Sequence, residues 1–307
     1  MDSILQKIHE IGIVPVVKID TPEHALPLGE ALMAGDLPLA EITFRTDAAA
    51  ESIRRLSSEL PDMLVGAGTV LTPEQAKQAV KAGAKFIVSP GFNEPVVDYC
   101  LEHNIPITPG INSPTQVERG LYRGLHVLKF FPAEASGGLN LLKAMSAPYN
   151  DVMFIPTGGM KTENMNAYLS FSKVLAIGGS WMVKPELISG ERFGEISRIS
   201  REAVMGMLGF SLERIRMHAV TAGPAGETET VFQTLGLHEH IEMARKNTGG
   251  GRGEIAVGTN SIRRAAAFLR RKGTAFEETV DPAAGGASGS ILLKNEIEGF
   301  KVRLYQR

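Results

Sequence analysis

An internal disulfide is impossible in this chain, because its 307 residues include one cysteine, Cys100. The fold must therefore rest on packing. A lone cysteine fits a reducing compartment, so a cytoplasmic location is expected. Net charge is nearly absent, at -2, which removes the electrostatic case for a nucleic-acid or anionic-membrane partner. No apolar run approaches the ~20 residues needed to span a bilayer. The opening Met-Asp-Ser-Ile-Leu-Gln-Lys-Ile lacks the basic stretch, apolar stretch and cleavage site of a secretory signal. What is present is ordinary for a globular protein: 43% hydrophobic residues, ample for a core, and 21% charged.

From Gly12 to about Ser180, short apolar runs rich in β-branched residues alternate with helical patterns. Eight runs can be counted: Ile13 to Ile19, Leu39 to Phe44, Leu64 to Val70, Phe86 to Pro90, Ile105 to Ile111, Val127 to Phe131, Met153 to Pro156 and Val174 to Ile177. Between them lie segments such as Thr72-Pro-Glu-Gln-Ala, with a Thr cap and a proline at the first helical position. Such alternation implies a parallel sheet. An open doubly wound sheet shows the same pattern; the count of eight favours closure into a (β/α)8 TIM barrel.

After the helical pattern from Arg192 to Leu208, Gly209 reads as a helix C-cap and the sequence changes character. Gly-rich breaks at 223–226, 249–253 and 285–289 separate strand-like stretches at 214–220, 254–258, 291–294 and 301–305 from an amphipathic helix at 261–272. The expected division is a barrel over 1–208 and a small α+β domain over 209–307.

Polar and glycine-rich residues punctuate the ends of the barrel runs, where barrel active sites are built. Lys129 stands out, because Val-Leu-Lys129-Phe-Phe-Pro is an apolar strand. Alternation puts Lys129 and Phe131 on one face, with Leu128 and Phe130 on the other. A desolvated amine suits Schiff-base chemistry on a carbonyl substrate; a strand-end lysine that snorkels to solvent gives the same pattern. Glu41, Thr43 and Arg45 share a face of the second run. Glu41 near an imine-forming lysine could shuttle protons, or it could simply form a buried ion pair with Arg45, whose planar fork also suits a substrate carboxylate. Thr157-Gly158-Gly159 and Gly178-Gly179-Ser180 follow the seventh and eighth runs, where many barrels hold a phosphate; each glycine pair alone is commonly a tight turn. His9, His24, His103 and His126 lack partners at metal spacing, His238-Glu-His240 lacks a third ligand, and Trp181 is expected to pack. No metal is expected.

These residues carry a resemblance. Glu41 to Thr46, Val65 to Val70, Ser89-Pro-Gly91, Lys129 to Glu134, Pro156 to Gly159 and Ile177 to Trp181 resemble, in unbroken order over residues 1–208, the bacterial 2-keto-3-deoxy-6-phosphogluconate aldolase / 4-hydroxy-2-oxoglutarate aldolase family. The resemblance implies a class I aldolase that needs no cofactor and usually assembles as a homotrimer. Lys129 would form the imine with pyruvate or the keto-deoxy sugar acid phosphate, with Glu41 as acid/base. Arg45 and Thr69 would hold the pyruvate carboxylate, Phe131 would pack on its methyl side, Thr157 would contact substrate, and Gly158, Gly159, Gly178, Gly179 and Ser180 would take the phosphate. Alternatives within that picture are a preference for unphosphorylated 4-hydroxy-2-oxoglutarate, or a barrel that only binds sugar phosphates. The tail more faintly resembles a βαβββ half of the glyoxalase fold, with Arg214 and Arg303 where that family places metal ligands. An accessory role follows from that replacement.

Overall fold

The computed structural model describes residues 3–218, 241–244, 252–277 and 289–307. Its contacts divide the chain into two compact units, Met1–Met207 and Leu208–Arg307. The first is built on eight short strands: β1 (Ile13–Val17), β2 (Leu39–Thr43), β3 (Leu64–Gly68), β4 (Ile87–Ser89), β5 (Ile107–Ile111), β6 (Val127–Phe130), β7 (Met153–Pro156) and β8 (Ile177–Gly179). They pair in the order β7-β6-β5-β4-β3-β2-β1-β8. Parallel bridges Phe154↔Val174 and Thr157↔Gly178 join β7 to the segment that ends in β8. The sheet thus curls back on itself as a (β/α)8 barrel.

Continuous apolar runs suit strands covered on both faces, and β2 to β6 are buried along their whole length. The helices present narrower stripes. Ala49–Glu59 buries Ala49, Ser52, Ile53 and Leu56, the three-and-four spacing of an amphipathic helix. The expected cap on Pro73–Ala82 is present, with the Thr72 side chain accepting from the Gln75 N–H. Burial also explains the lone cysteine: Cys100 packs inside Glu94–Glu102, and desolvation pushes its thiol up to about 12.

Several strands are shorter than the apolar runs that announce them, and the largest shift is at β8. The eighth apolar run, 174–177, leads into the strand, whereas β8 itself begins at Ile177 and contains Gly178 and Gly179. Glycine is tolerated there because neighbouring side chains occupy the space that a Cβ would fill. Thr157 Oγ1 lies 2.3 Å from that position on Gly178, and the Trp181 ring 2.0 Å from it on Gly179. Trp181 therefore packs against the strand.

The second unit contains a five-stranded sheet, in the order β10-β9-β11-β13-β12. Its strands are β9 (Ser211–His218), β10 (Ile241–Ala244), β11 (Gly253–Thr259), β12 (Ser290–Leu292) and β13 (Phe300–Gln306), and the helix Ile262–Arg271 follows β11. Gly209 has φ +57° and follows the helix Phe193–Leu208, as a C-cap requires. Arg303 does not stand alone where a metal ligand was sought, since its Nε lies 3.3 Å from Glu254 and Tyr305 donates to the same carboxylate at 3.1 Å. The His238-Glu-His240 triplet lies outside the described residues. Among the described residues, no helix is long and apolar enough to cross a membrane.

A tight approach inside the barrel offers a check on the packing. A side chain on Gly110 would meet the Pro90 carbonyl oxygen at 2.0 Å, and backbone cannot rotate away as a flexible side chain can. Gly110→Ala is expected to lower the unfolding free energy by about 2 kcal/mol, as measured by urea denaturation.

Candidate active site

Register brings the chemistry-bearing residues together. Glu41 lies between Val16 of β1 and Gly66 of β3, and Lys129 lies between Gly110 of β5 and Ile155 of β7. Both side chains point into the barrel, where Lys129 Nζ stands 3.5 Å from Glu41 Oε1. Lys129 is 6% exposed and Glu41 3%, so the lysine does not snorkel to solvent. Leu128 and Phe130 are fully buried on the opposite face, as strand alternation demands. The carboxylate partner of Lys129 is thus supplied from across the barrel. Gly68 makes room for it, since a Cβ there would lie 2.1 Å from Glu41 Oε1.

A cleft of about 210 Å³ opens nearby, although neither Lys129 nor Glu41 lines it. Its walls come from the C-terminal ends of five strands: Val16 to Lys18 at the end of β1, Thr43 and Arg45 at the end of β2, Phe131 after β6, Thr157 to Met160 after β7, and Gly178 to Ser180 at β8. Phe131 connects the two features, lining the cleft while its ring centre lies 5.2 Å from Lys129 Nζ. Arg45 is exposed at the rim, so the expected alternative of a buried Glu41–Arg45 pair gives way to the Glu41–Lys129 pair. Thr43 is fixed by donating to the Val17 carbonyl at 2.8 Å. Thr69 does not line this cleft. It sits half-buried after β3 with φ +54°, next to the glycine on which the Glu41 carboxylate rests.

The glycine loops divide by geometry. Gly158 and Gly159 follow β7 with φ +98° and +80°, a conformation that glycine adopts without steric cost. Gly178 and Gly179 are strand residues whose lack of side chains admits Thr157 and Trp181. Together with Ser180 they face the cleft from adjoining strands, a concave and partly polar site suited to an anion.

Lys18 escaped the sequence reading although it lines the cleft. It was absorbed into the first apolar run, yet β1 ends at Val17. The available signal was a charged residue at the C-terminal end of a barrel strand. Its Nζ pairs with Asp20 at 2.7 Å. Among the described residues, no group of three or more His, Cys, Asp or Glu side chains is arranged to hold a metal ion.

Comparison with known proteins gives a consistent answer. The family model described as KDPG and KHG aldolase matches residues 4–199. A curated relative from Treponema pallidum, named 2-dehydro-3-deoxy-phosphogluconate aldolase, is 46% identical over 204 residues, covering 66% of this chain and 97% of the relative. The KHG/KDPG aldolase of Escherichia coli K12 is 42% identical over 194 residues, covering 63% and 91%. Among solved structures, the KDPG aldolase of Legionella pneumophila, with pyruvate captured at low pH as a covalent carbinolamine intermediate, superposes with a TM-score of 0.63 at 38% identity, covering 65% of this chain and 97% of that one. The Zymomonas mobilis ZM4 2-keto-3-deoxy-6-phosphogluconate aldolase, solved with 3-phosphoglycerate, gives 0.60 at 36% identity, covering 65% and 94%.

The buried pair makes its own energetic prediction. Removing one partner strands a charge in the barrel, whereas replacing both with apolar groups removes the problem. Glu41→Leu is expected to destabilise by about 3 kcal/mol in urea unfolding, and the Glu41→Leu/Lys129→Met double variant to recover most of that loss.

Proposed function

The chain belongs to the KDPG and KHG aldolase family, and on that premise we propose that its barrel cleaves 2-keto-3-deoxy-6-phosphogluconate to pyruvate and glyceraldehyde 3-phosphate through an imine on Lys129. The protein is an aldehyde-lyase. The observation that carries the site assignment is the buried Lys129–Glu41 pair, 3.5 Å apart inside the barrel.

At that separation Glu41 can accept a proton from Lys129, freeing the amine to attack the C2 ketone of the substrate. The resulting carbinolamine loses water, with the carboxyl group returning a proton to the departing hydroxyl. The protonated imine then acts as an electron sink. Removal of the C4 hydroxyl proton forms the aldehyde carbonyl and breaks the C3–C4 bond, whose electron pair passes into the imine to give an enamine. Protonation at C3 and addition of water release pyruvate and restore the amine. Phe131 lies under the amine, where its ring excludes water from the reacting carbon and packs on the methyl side of the product. Arg45, at the cleft rim, and Thr69 hold the carboxylate in this reading. Thr157 contacts the substrate chain, and Gly158, Gly159, Gly178, Gly179 and Ser180 receive the phosphate.

A second substrate, 4-hydroxy-2-oxoglutarate, uses the same imine chemistry and yields glyoxylate in place of the triose phosphate. The Escherichia coli relative's double name, KHG/KDPG aldolase, favours keeping it in view. We assign residues 1–208 as the catalytic domain and 209–307 as an accessory domain that is glyoxalase-like in its sequence, and we propose a homotrimer, to be tested by light scattering.

Borohydride reduction in the presence of pyruvate is expected to attach the keto acid covalently to Lys129, as read by peptide mass spectrometry. Lys129→Ala should abolish that adduct and nearly all turnover while the far-ultraviolet spectrum stays native. Substantial cleavage by this variant would remove Lys129 from the mechanism. Truncation after Leu208 should leave cleavage intact, and kcat/KM for the two substrates ranks them.

A further inference from the structure

The loop Thr157-Gly158-Gly159 is held from behind at three successive carbonyls. Ala133 N–H donates to the Thr157 carbonyl at 2.8 Å and Glu134 N–H to the Gly158 carbonyl at 3.1 Å. Asn164 Nδ2 donates to the Gly159 carbonyl at 3.0 Å, and its Oδ1 accepts from Lys161 N–H at 2.9 Å. In a trans peptide the N–H points opposite to the carbonyl that precedes it. Tethering these carbonyls therefore turns the N–H groups of Gly158, Gly159 and Met160 away from the tethers, the arrangement of an anion-receiving nest. All three residues line the cleft.

Two of the three tethers come from the loop after β6, the strand that carries Lys129, and that loop has its own anchor. Glu134 accepts a hydrogen bond from the Tyr168 hydroxyl. Tyr168 lies on the helix Thr162–Leu169 and is 2% exposed. The Glu134 methylenes fill the space beside Gly159, where an added Cβ would lie 2.6 Å from Cγ. The carboxylate itself turns toward Gly138, with Oε1 3.2 Å from the corresponding position there, at the start of the helix Gly138–Ser146. Its negative charge is thereby directed toward a helix N-terminus.

We infer that Tyr168 and Glu134 form a clamp that holds the Gly158–Gly159 loop in its anion-receiving form, making Tyr168 a positioning residue for the phosphorylated end of the substrate and not for the imine. Neither side chain lines the cleft. They act through the loop, whose backbone would otherwise sample the wide range open to consecutive glycines. This inference rests on the reading that the loop takes the substrate phosphate.

The test compares Tyr168→Phe, Glu134→Ala and Glu134→Gln with the unsubstituted protein, using 2-keto-3-deoxy-6-phosphogluconate and unphosphorylated 4-hydroxy-2-oxoglutarate, with borohydride trapping of pyruvate as a control. Tyr168→Phe and Glu134→Ala should each raise KM for the phosphorylated substrate about fivefold, the effect of one lost hydrogen bond. Their kcat, their KM for the unphosphorylated substrate and their trapping of pyruvate should stay near those of the unsubstituted protein. Glu134→Gln keeps the acceptor and the methylenes and should restore KM. Should Tyr168→Phe fail to fold, the exposed Glu134 position carries the comparison alone. Equal KM changes for both substrates, or none for either, with trapping intact, would overturn the clamp alone. An unsubstituted protein that neither traps pyruvate nor cleaves substrate would overturn the aldolase reading and the clamp with it.

Discussion

A lysine ammonium and a glutamate carboxylate, 3.5 Å apart and almost wholly removed from water, are the constraint around which the barrel is arranged. Such a pair is weak support for stability, since desolvating two charges offsets most of their attraction. Its value lies in chemistry. An amine held beside one carboxylate, with an aromatic ring below it, is the arrangement that the proposed attack on a carbonyl requires. The opposite-charge partner also explains why a cation is tolerated in an apolar strand.

The fold supplies this pair by register. Parallel strands β2 and β6 stand on different sides of the barrel, and only a closed sheet makes residues 88 positions apart in sequence meet in its interior. The same closure gathers the loops after β1, β2, β6, β7 and β8 into one cleft. The Lys129–Glu41 pair and the glycine loops of the cleft therefore come from different strands, and the loop after β6 is bonded directly to the loop after β7.

Much of this was legible in the residues. Strand alternation put Lys129 and Phe131 on one face, and eight apolar runs implied closure. The Thr72 cap and the Gly209 stop behaved as local rules dictate. Long-range partners were not legible. Glu41 faced Arg45 in the sequence pattern but meets Lys129 across the barrel, because pairing across a closed sheet depends on register and not on spacing along one strand. The β8 boundary was missed because two glycines read as a turn, although they pack as strand beneath Thr157 and Trp181. Lys18 was hidden inside an apolar run, read to Ile19, whose strand ends two residues earlier at Val17. Tyr168 carried no signal, being one buried aromatic among the helical residues until the structure brought it to Glu134.

Exchange of the pyruvate methyl protons in deuterium oxide, followed by proton NMR with no aldehyde present, tests the central claim most directly. The methyl group exchanges on the protein only if pyruvate forms an imine that loses a proton to become an enamine. The unsubstituted protein should catalyse this exchange, and Lys129→Ala should not. Exchange undiminished in that variant, or none in an unsubstituted protein that still cleaves its substrate, would contradict the account.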